Sequence, residues 1–395
     1  MLMQRIEYIL KHNVYIQKTY KVLMSLVFKS IGIFVKTEKN LVLFNGHGWK
    51  INDSPKAIYD HMINDKKFNE YRMVWAVKNP EEYSNKKIEI IKMDSLKYFI
   101  TALKSKYWIS CVNIERGLNF KKKSTIYLNT WHGIPLKKIG NTVSGRNDFD
   151  FSKINYFSYS SEYEEKIYLN AFNLDKHSLI KTGLPRNDIL FKIQLHSSVK
   201  ENTRKNLNLD SSKKIILYAP TWRDSDDKGK QYSLKPPIDF KKWEEEIGDE
   251  YIVLLRTHSY TNKLLGVNFN KFIIDVSDYP NINELMILSD ILISDYSATI
   301  FDYSILEKPI FCFGYDYKEY LESRGFYINL NEELPNGVIS EEINLLSQIK
   351  NMNVQIQSEK TKEFKNKYID YNLNATLECV NTIFGGKKVE KNNLN

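Results

Sequence analysis

At 395 residues the chain is roughly two to three times the length of a typical domain, so two domains are expected. With 42% apolar and 27% charged residues it can bury a sizeable core, which excludes collagen-like, disordered and disulfide-scaffold proteins. Three widely separated cysteines (Cys111, Cys312 and Cys379), with no CxxC pair, offer neither a zinc site nor a disulfide framework. A reducing cytoplasm is the simplest home.

The formal net charge is +9, and the surplus is concentrated at the start. Residues 1–40 carry Arg5, Lys11, Lys18, Lys21, Lys29, Lys36 and Lys39 against Glu7 and Glu38, a net of +5. Apolar stretches at 22–28 and 30–35 lie within this cluster, divided by Lys29. A membrane-spanning helix needs about 20 apolar residues, and a central lysine costs it roughly 3 kcal/mol. No small-residue cleavage site of a signal peptide follows. The pattern fits a basic amphipathic helix lying on an anionic membrane surface, lysines at the phosphates and apolar face below. A core helix with snorkelling lysines is the alternative, and the one-sided charge favours the membrane.

From residue 40, short apolar runs alternate with longer amphipathic ones. Leu41–Phe44 reads as a buried strand ended by Gly46-His47-Gly48, and Ser54-Pro55 opens a helix through Met62. Met73–Val77 and Ile88–Ile91 are strands, Ser95–Lys104 a helix, and Tyr107–Cys111 and Ser124–Leu128 further strands, the last running into Asn129-Thr-Trp-His-Gly133. The polar stretch His196–Lys214 reads as helix and linker. A second series follows: strand Lys214–Tyr218, strand Tyr251–Leu255, helix Ile282–Ser289, strand Ile291–Ile293, helix Ser297–Leu306 and strand Pro309–Phe313. Alternation in both halves predicts two parallel α/β domains, 40–195 and 196–384, after a helical segment 1–39 and before a polar tail 385–395. Two Rossmann-like halves facing a cleft make the GT-B architecture, which suits a nucleotide-activated donor in one half and an acceptor in the other. Ligands of such sheets bind beyond the carboxyl ends of the strands, where the polar clusters fall.

P-loop, dinucleotide, zincin and hydrolase-elbow motifs are absent. Asp148-Phe-Asp150 matches a DxD metal motif, a pattern short enough to arise by chance, and no metal site is assigned. His132 stands at a strand's end, with Lys137 and Lys138 close by; cationic neighbours lower an imidazole's pKa and suit it to act as a base at pH 7. Gly133 lets a substrate approach the backbone. His258, after Arg256, repeats the arrangement in the second half. Ser294-Asp-Tyr-Ser-Ala-Thr299 joins a strand to a helix and offers hydroxyls to phosphate, or simple helix capping. Arg186 and Arg223 each occupy a post-strand loop, as phosphate forks or as structural ion pairs. No helix-turn-helix or zinc pattern accompanies the positive charge, so nucleic acid is not expected as a partner.

Asn129–Gly140, Thr182–Asp188, Leu217–Asp224, Leu255–His258, Ser294–Asp302 and Arg324–Tyr327, in this order, closely resemble the CDP-glycerol glycerophosphotransferase family of teichoic-acid synthesis. The resemblance covers about residues 40–384. It implies a GT-B fold and a peripheral enzyme on the cytoplasmic face of the cell membrane. It also implies transfer of glycerol phosphate, or in relatives ribitol phosphate, from a CDP-linked donor to an undecaprenyl-linked saccharide or poly(glycerol phosphate), in teichoic-acid or capsule-like polymers. No tightly bound cofactor is implied. By motif, His132 and His258 correspond to the essential histidines, 40–195 to the acceptor domain and 196–384 to the donor domain. Donor contacts fall on Thr221, Arg223, Arg256, Ser294, Asp295, Ser297, Thr299 and Asp302; Trp131, Gly133, Lys137, Arg186, Asp188 and Arg324 complete the expected site. Ile134 and Ala298 replace the family's usual Thr and Ser, both expected inside that site. The rival reading is a GT-B glycosyltransferase using a nucleotide sugar. Room for one catalytic unit and a short anchor favours a priming or short-extension enzyme.

Overall fold

The computed structural model describes residues 14–221, 238–257, 267–371 and 374–385. Its first sheet contains β1 (Glu38–Asn45), β2 (Arg72–Val77), β3 (Glu89–Lys92), β4 (Ser105–Ser110), β5 (Ile126–Asn129), β6 (Tyr156–Tyr159) and β7 (Leu179–Lys181), in the order β3-β2-β1-β4-β5-β6-β7. The second contains β8 (Lys214–Ala219), β9 (Tyr251–Leu255), β10 (Ile273–Asp275), β11 (Ile291–Ser294), β12 (Ile310–Phe313) and β13 (Val338–Ile339), ordered β10-β9-β8-β11-β12-β13. Every pairing in both sheets is parallel. Runs such as Leu41–Phe44 and Ile215–Tyr218 are buried along their whole length, as strands covered on both faces must be. The second order is the doubly wound Rossmann arrangement, and the first extends it by one strand. This is the GT-B fold. The strand order reverses between β1 and β4 and between β8 and β11, and crevices open at the carboxyl ends there.

The predicted strands appear in place. Short strands β6, β7, β10 and β13 join them unannounced. The halves are also more interwoven than the expected boundaries suggest. Helix Ala375–Phe384, assigned by sequence to the second half, packs Cys379, Val380 and Ile383 among Val42, Phe44 and Ile58 of the first. Conversely, Ile134 and Leu136 from the loop after β5 are buried in the core of the second half. That loop pairs with 325–327: Tyr327 N–H donates to the Leu136 carbonyl and Lys138 N–H to that of Gly325, each at 3.1 Å.

Helix α1 (Val14–Phe34) is packed on one face and exposed on the other. One face packs on the first half: Phe28 stacks on Phe99 at 4.3 Å between ring centroids and touches Phe120, and the Ser25 hydroxyl accepts the Asn119 N–H. The other face leaves Val22, Leu23, Leu26, Val27, Ile33 and Phe34 between 47% and 88% exposed. Among the described residues no helix is long and apolar enough to cross a membrane.

Candidate active site

Beyond β5 the chain makes a tight turn. The Asn129 side chain donates to the Val112 carbonyl and accepts the Trp131 N–H, both at 2.8 Å, and Trp131 takes a left-handed φ of 50°. Such strain persists only where surroundings enforce it. Here the Trp131 ring is held between Phe172, at 4.4 Å, and His132, at 4.1 Å between centroids. His132 Nδ1 lies 2.8 Å from the Cys111 carbonyl. A carbonyl only accepts, so Nδ1 carries the proton and Nε2 is left with its lone pair. Burial, then the neighbouring His47 ring, pushes the His132 pKa down to about 3, against the pull of the Cys111 carbonyl and Asp53. The imidazole is therefore neutral at pH 7 and able to accept a proton at one defined atom.

His47 was legible only as the end of a strand. The structure sets its ring 4.7 Å from that of His132, on the loop after β1. Its signal was positional: it follows the first strand of a parallel sheet, as His132 follows a later one.

Arg186 sits in the short turn Pro185–Asn187 that follows β7. Its Nη1 donates to Asp53 at 2.8 Å and to the His132 carbonyl at 2.9 Å, while Nη2 donates to Asp302 at 2.6 Å. Asn187 donates to the other oxygen of Asp302 at 2.6 Å. Asp53 begins helix α2 (Asp53–Asn64) with a left-handed φ of 60°. Burial raises its carboxyl, but Arg186, His47 and the Ser54 N–H outweigh that and hold it below the usual range. Burial prevails at Asp302, whose carboxyl is pushed up despite Arg186.

In the second half, the Ser294 hydroxyl is fully buried and donates to the Ala219 carbonyl at 2.7 Å. Asp295 accepts the Thr221 N–H at 2.8 Å and also its hydroxyl, closing the loop after β8 onto the loop after β11. Ser297 donates to the Thr299 hydroxyl at 2.9 Å. Arg256 donates to the carbonyls of Val276 and Tyr279 at 3.0 and 2.7 Å. Arg223 and His258 lie outside the described residues.

A cavity of about 1390 Å³ lies between the halves, lined by His47, Asp53, Lys56, His61 and His132 from one side and Arg256, Asn283 and Thr299 from the other. Arg186 and Asp188 also reach its wall, whereas Ser294, Asp295 and Asp302 stand behind it. Asp188 is engaged as a helix cap, accepting the N–H groups of Ala375 and Thr376 at 2.9 and 3.0 Å. Lys137 lies over the Tyr320 ring in the bridge to Phe326, and Arg324 is exposed in the last turn of helix Tyr317–Arg324. Ile134, expected inside the site, is instead core, because the loop after β5 turns its apolar residues into the second half. Asp148 pairs with Arg146 at 3.2 Å and Asp150 accepts from Asn173. Among the described residues no cluster of three or more His, Cys, Asp or Glu side chains is arranged to hold a metal.

Residues 27–385 match the family described as CDP-Glycerol:Poly(glycerophosphate) glycerophosphotransferase. The teichoic acid poly(glycerol phosphate) polymerase of Staphylococcus epidermidis is 36% identical over 332 residues, 80% of this chain and 46% of the polymerase. The chain thus spans about half the length of that relative. The teichoic acid glycerol-phosphate transferase of Staphylococcus aureus is 30% identical over 89% of this chain and 90% of its own. Matches to ribitol-phosphate polymerases cover less of the chain. Among solved structures, the wall teichoic acid polymerase TagF aligns with a TM-score of 0.77 at 31% identity, covering 96% of this chain and 94% of that one. A TagF variant soaked with CDPG aligns with a TM-score of 0.78, covering 93% of this chain and 96% of that one. Strand-end motifs, a two-sheet fold and a histidine-bearing cleft agree with these likenesses, and the chain belongs to the CDP-glycerol:poly(glycerophosphate) glycerophosphotransferase family.

Proposed function

We propose that the protein transfers glycerol phosphate from CDP-glycerol to a hydroxyl of a lipid-linked saccharide or poly(glycerol phosphate) acceptor, releasing CMP. The acceptor oxygen attacks the β-phosphorus, the bond from that phosphorus to the bridging oxygen of CMP breaks, and His132 Nε2 takes the hydroxyl proton. Phosphoryl transfer asks chiefly for positioning and charge stabilisation, which fits a site built from fixed side chains. The observation that carries the reading is the tautomer of His132: with Nδ1–H bound to the Cys111 carbonyl, the lone pair of Nε2 is available in a cavity whose other wall carries Arg256 and Thr299. Arg256 and Thr299 face the donor; Ser297, bonded to Thr299, and Thr221, Ser294, Asp295 and Asp302 hold the loops that present them. His258 and Arg223 take the pyrophosphate in this reading.

The test supplies CDP-glycerol, CDP-ribitol or UDP-glucose to the purified protein with a lipid-linked acceptor analogue. CMP release with acceptor gains of one or more glycerol phosphates is expected. Turnover with CDP-ribitol alone would change the substrate, and UDP release with a hexose gain would leave only the fold.

The exposed face of α1 supports a place on the cytoplasmic membrane surface. Burying each exposed leucine in the acyl boundary contributes about 1.5–3 kcal/mol, supplemented by lysine attraction to anionic lipid. Leu23→Glu with Leu26→Glu is expected to lower binding to phosphatidylglycerol-containing vesicles at least tenfold in a sedimentation assay, with transfer to a soluble acceptor unchanged. Unaltered sedimentation would refute the membrane role.

A further inference from the structure

We propose that Arg186 is a positioning residue: its guanidinium holds the His132 turn of the first half in register with Asp302 of the second, so that the proton acceptor meets a donor carried on the opposite wall. This inference rests on the reading of His132 given above. One planar group meets three acceptors that are remote in sequence: the Asp53 carboxylate, the His132 carbonyl and the Asp302 carboxylate, at 2.8, 2.9 and 2.6 Å. Its own backbone is tied as well, since its N–H donates to the Ser54 hydroxyl at 3.3 Å and its carbonyl accepts from Asn283. The side chains of Arg186, Asp53 and Asp302 are only 14%, 9% and 5% exposed.

Two features favour a positioning role over a phosphate ligand. Three of the five N–H groups of the fork, both on Nη1 and one on Nη2, already serve protein acceptors, two of them charged, and the Nε–H, which has no protein partner, is buried away from solvent. The bond to the His132 carbonyl also fixes the peptide plane between His132 and Gly133. Gly133 has a φ of 142°, and a β-carbon there would stand 3.1 Å from Arg186 and 2.7 Å from Ala298. The base-bearing turn is therefore clamped between the guanidinium and the second half. Buried ion groups are a weak source of stability, while a planar fork defines directions that an ammonium cannot reproduce.

Arg186→Lys and Asp302→Asn test the idea in the intact chain. The readouts are kcat and KM with CDP-glycerol and acceptor, the Kd for CDP-glycerol, the thermal midpoint, and the ¹⁵N signals of the His132 ring. Misplacement of reacting groups by about 1 Å costs on the order of 10²-fold. Arg186→Lys is expected to lose about 30- to 300-fold in kcat, with the CDP-glycerol Kd within threefold of wild type and the His132 ring no longer held as a single Nδ1–H tautomer. Asp302→Asn, which keeps an acceptor but loses the charge, should lose less in kcat, with the Kd likewise retained. A kcat within threefold of wild type in Arg186→Lys overturns the proposal. So does a tenfold weaker Kd, which would make Arg186 a donor ligand. If Arg186→Lys does not fold, Asp302→Asn decides by the same readouts. An inactive His132→Asn beside a normal Arg186→Lys rejects the positioning role alone, whereas an active His132→Asn removes the reading of His132 as the proton acceptor.

Discussion

His132→Asn is expected to lower acceptor-dependent CMP release by about 10²–10⁴-fold, the range contributed by a positioned general base. Asparagine keeps an N–H for the Cys111 carbonyl and much of the ring's volume, so CDP-glycerol should bind within threefold of wild type. A variant retaining a tenth of the wild-type kcat at saturation would refute the assignment. The same substitution has a pH signature. In the unfolded chain this histidine titrates near 6.5, whereas burial beside His47 takes it down to about 3 in the fold. Between those values the unfolded state binds a proton that the folded state refuses, so the residue makes stability fall as pH drops from about 6.5 toward 3 and has no such effect above. Removing it should spare about 1–2 kcal/mol of the stability otherwise lost between pH 7 and pH 5. Urea unfolding of both proteins at the two pH values measures this directly. Equal losses would mean that the wild-type imidazole titrates normally in the fold.

Gly133→Ala should be the most disruptive single-methyl change at the site. The backbone there, at φ 142°, suits glycine and strains any residue with a side chain. The added carbon would also meet the Ala298 methyl at 2.7 Å, well inside ordinary contact. Strain of about 1–3 kcal/mol and overpacking of similar size combine to a loss of roughly 2–6 kcal/mol. Because Ala298 belongs to the second half, relief of the clash must separate the walls of the cleft, so transfer should fall with stability. Gly133→Ala combined with Ala298→Gly removes the contact but leaves the strain, and should recover about half of the lost stability. A single variant unfolding at the wild-type urea midpoint would show that the turn has room.

Much of this was legible in the chain. Continuous apolar runs such as Leu41–Phe44 and Tyr251–Leu255 declare strands covered on both faces, and the polar clusters after them declare where ligands bind. His132 was found in this way. His47 met the same criterion, with Trp49 and Lys50 close by, but it read only as part of the Gly-His-Gly turn that ends the first strand. Strands β6, β7, β10 and β13, of four, three, three and two residues, carry too little pattern to stand out and owe their conformation to the neighbour they pair with.

What the sequence by itself determined is the class of structure and the family: the period of the apolar residues follows from backbone geometry and survives without knowledge of any distant partner. Only the tertiary structure decided what each buried group faces. Arg186 meets Asp53 and Asp302 from positions more than a hundred residues away, Ile134 crosses into the other half's core, and the last helix returns to the first sheet. The physical reason is that hydrophobic patterning says which face leaves water but is non-directional, whereas the partner of a buried charge or a loop is set by how the two halves pack.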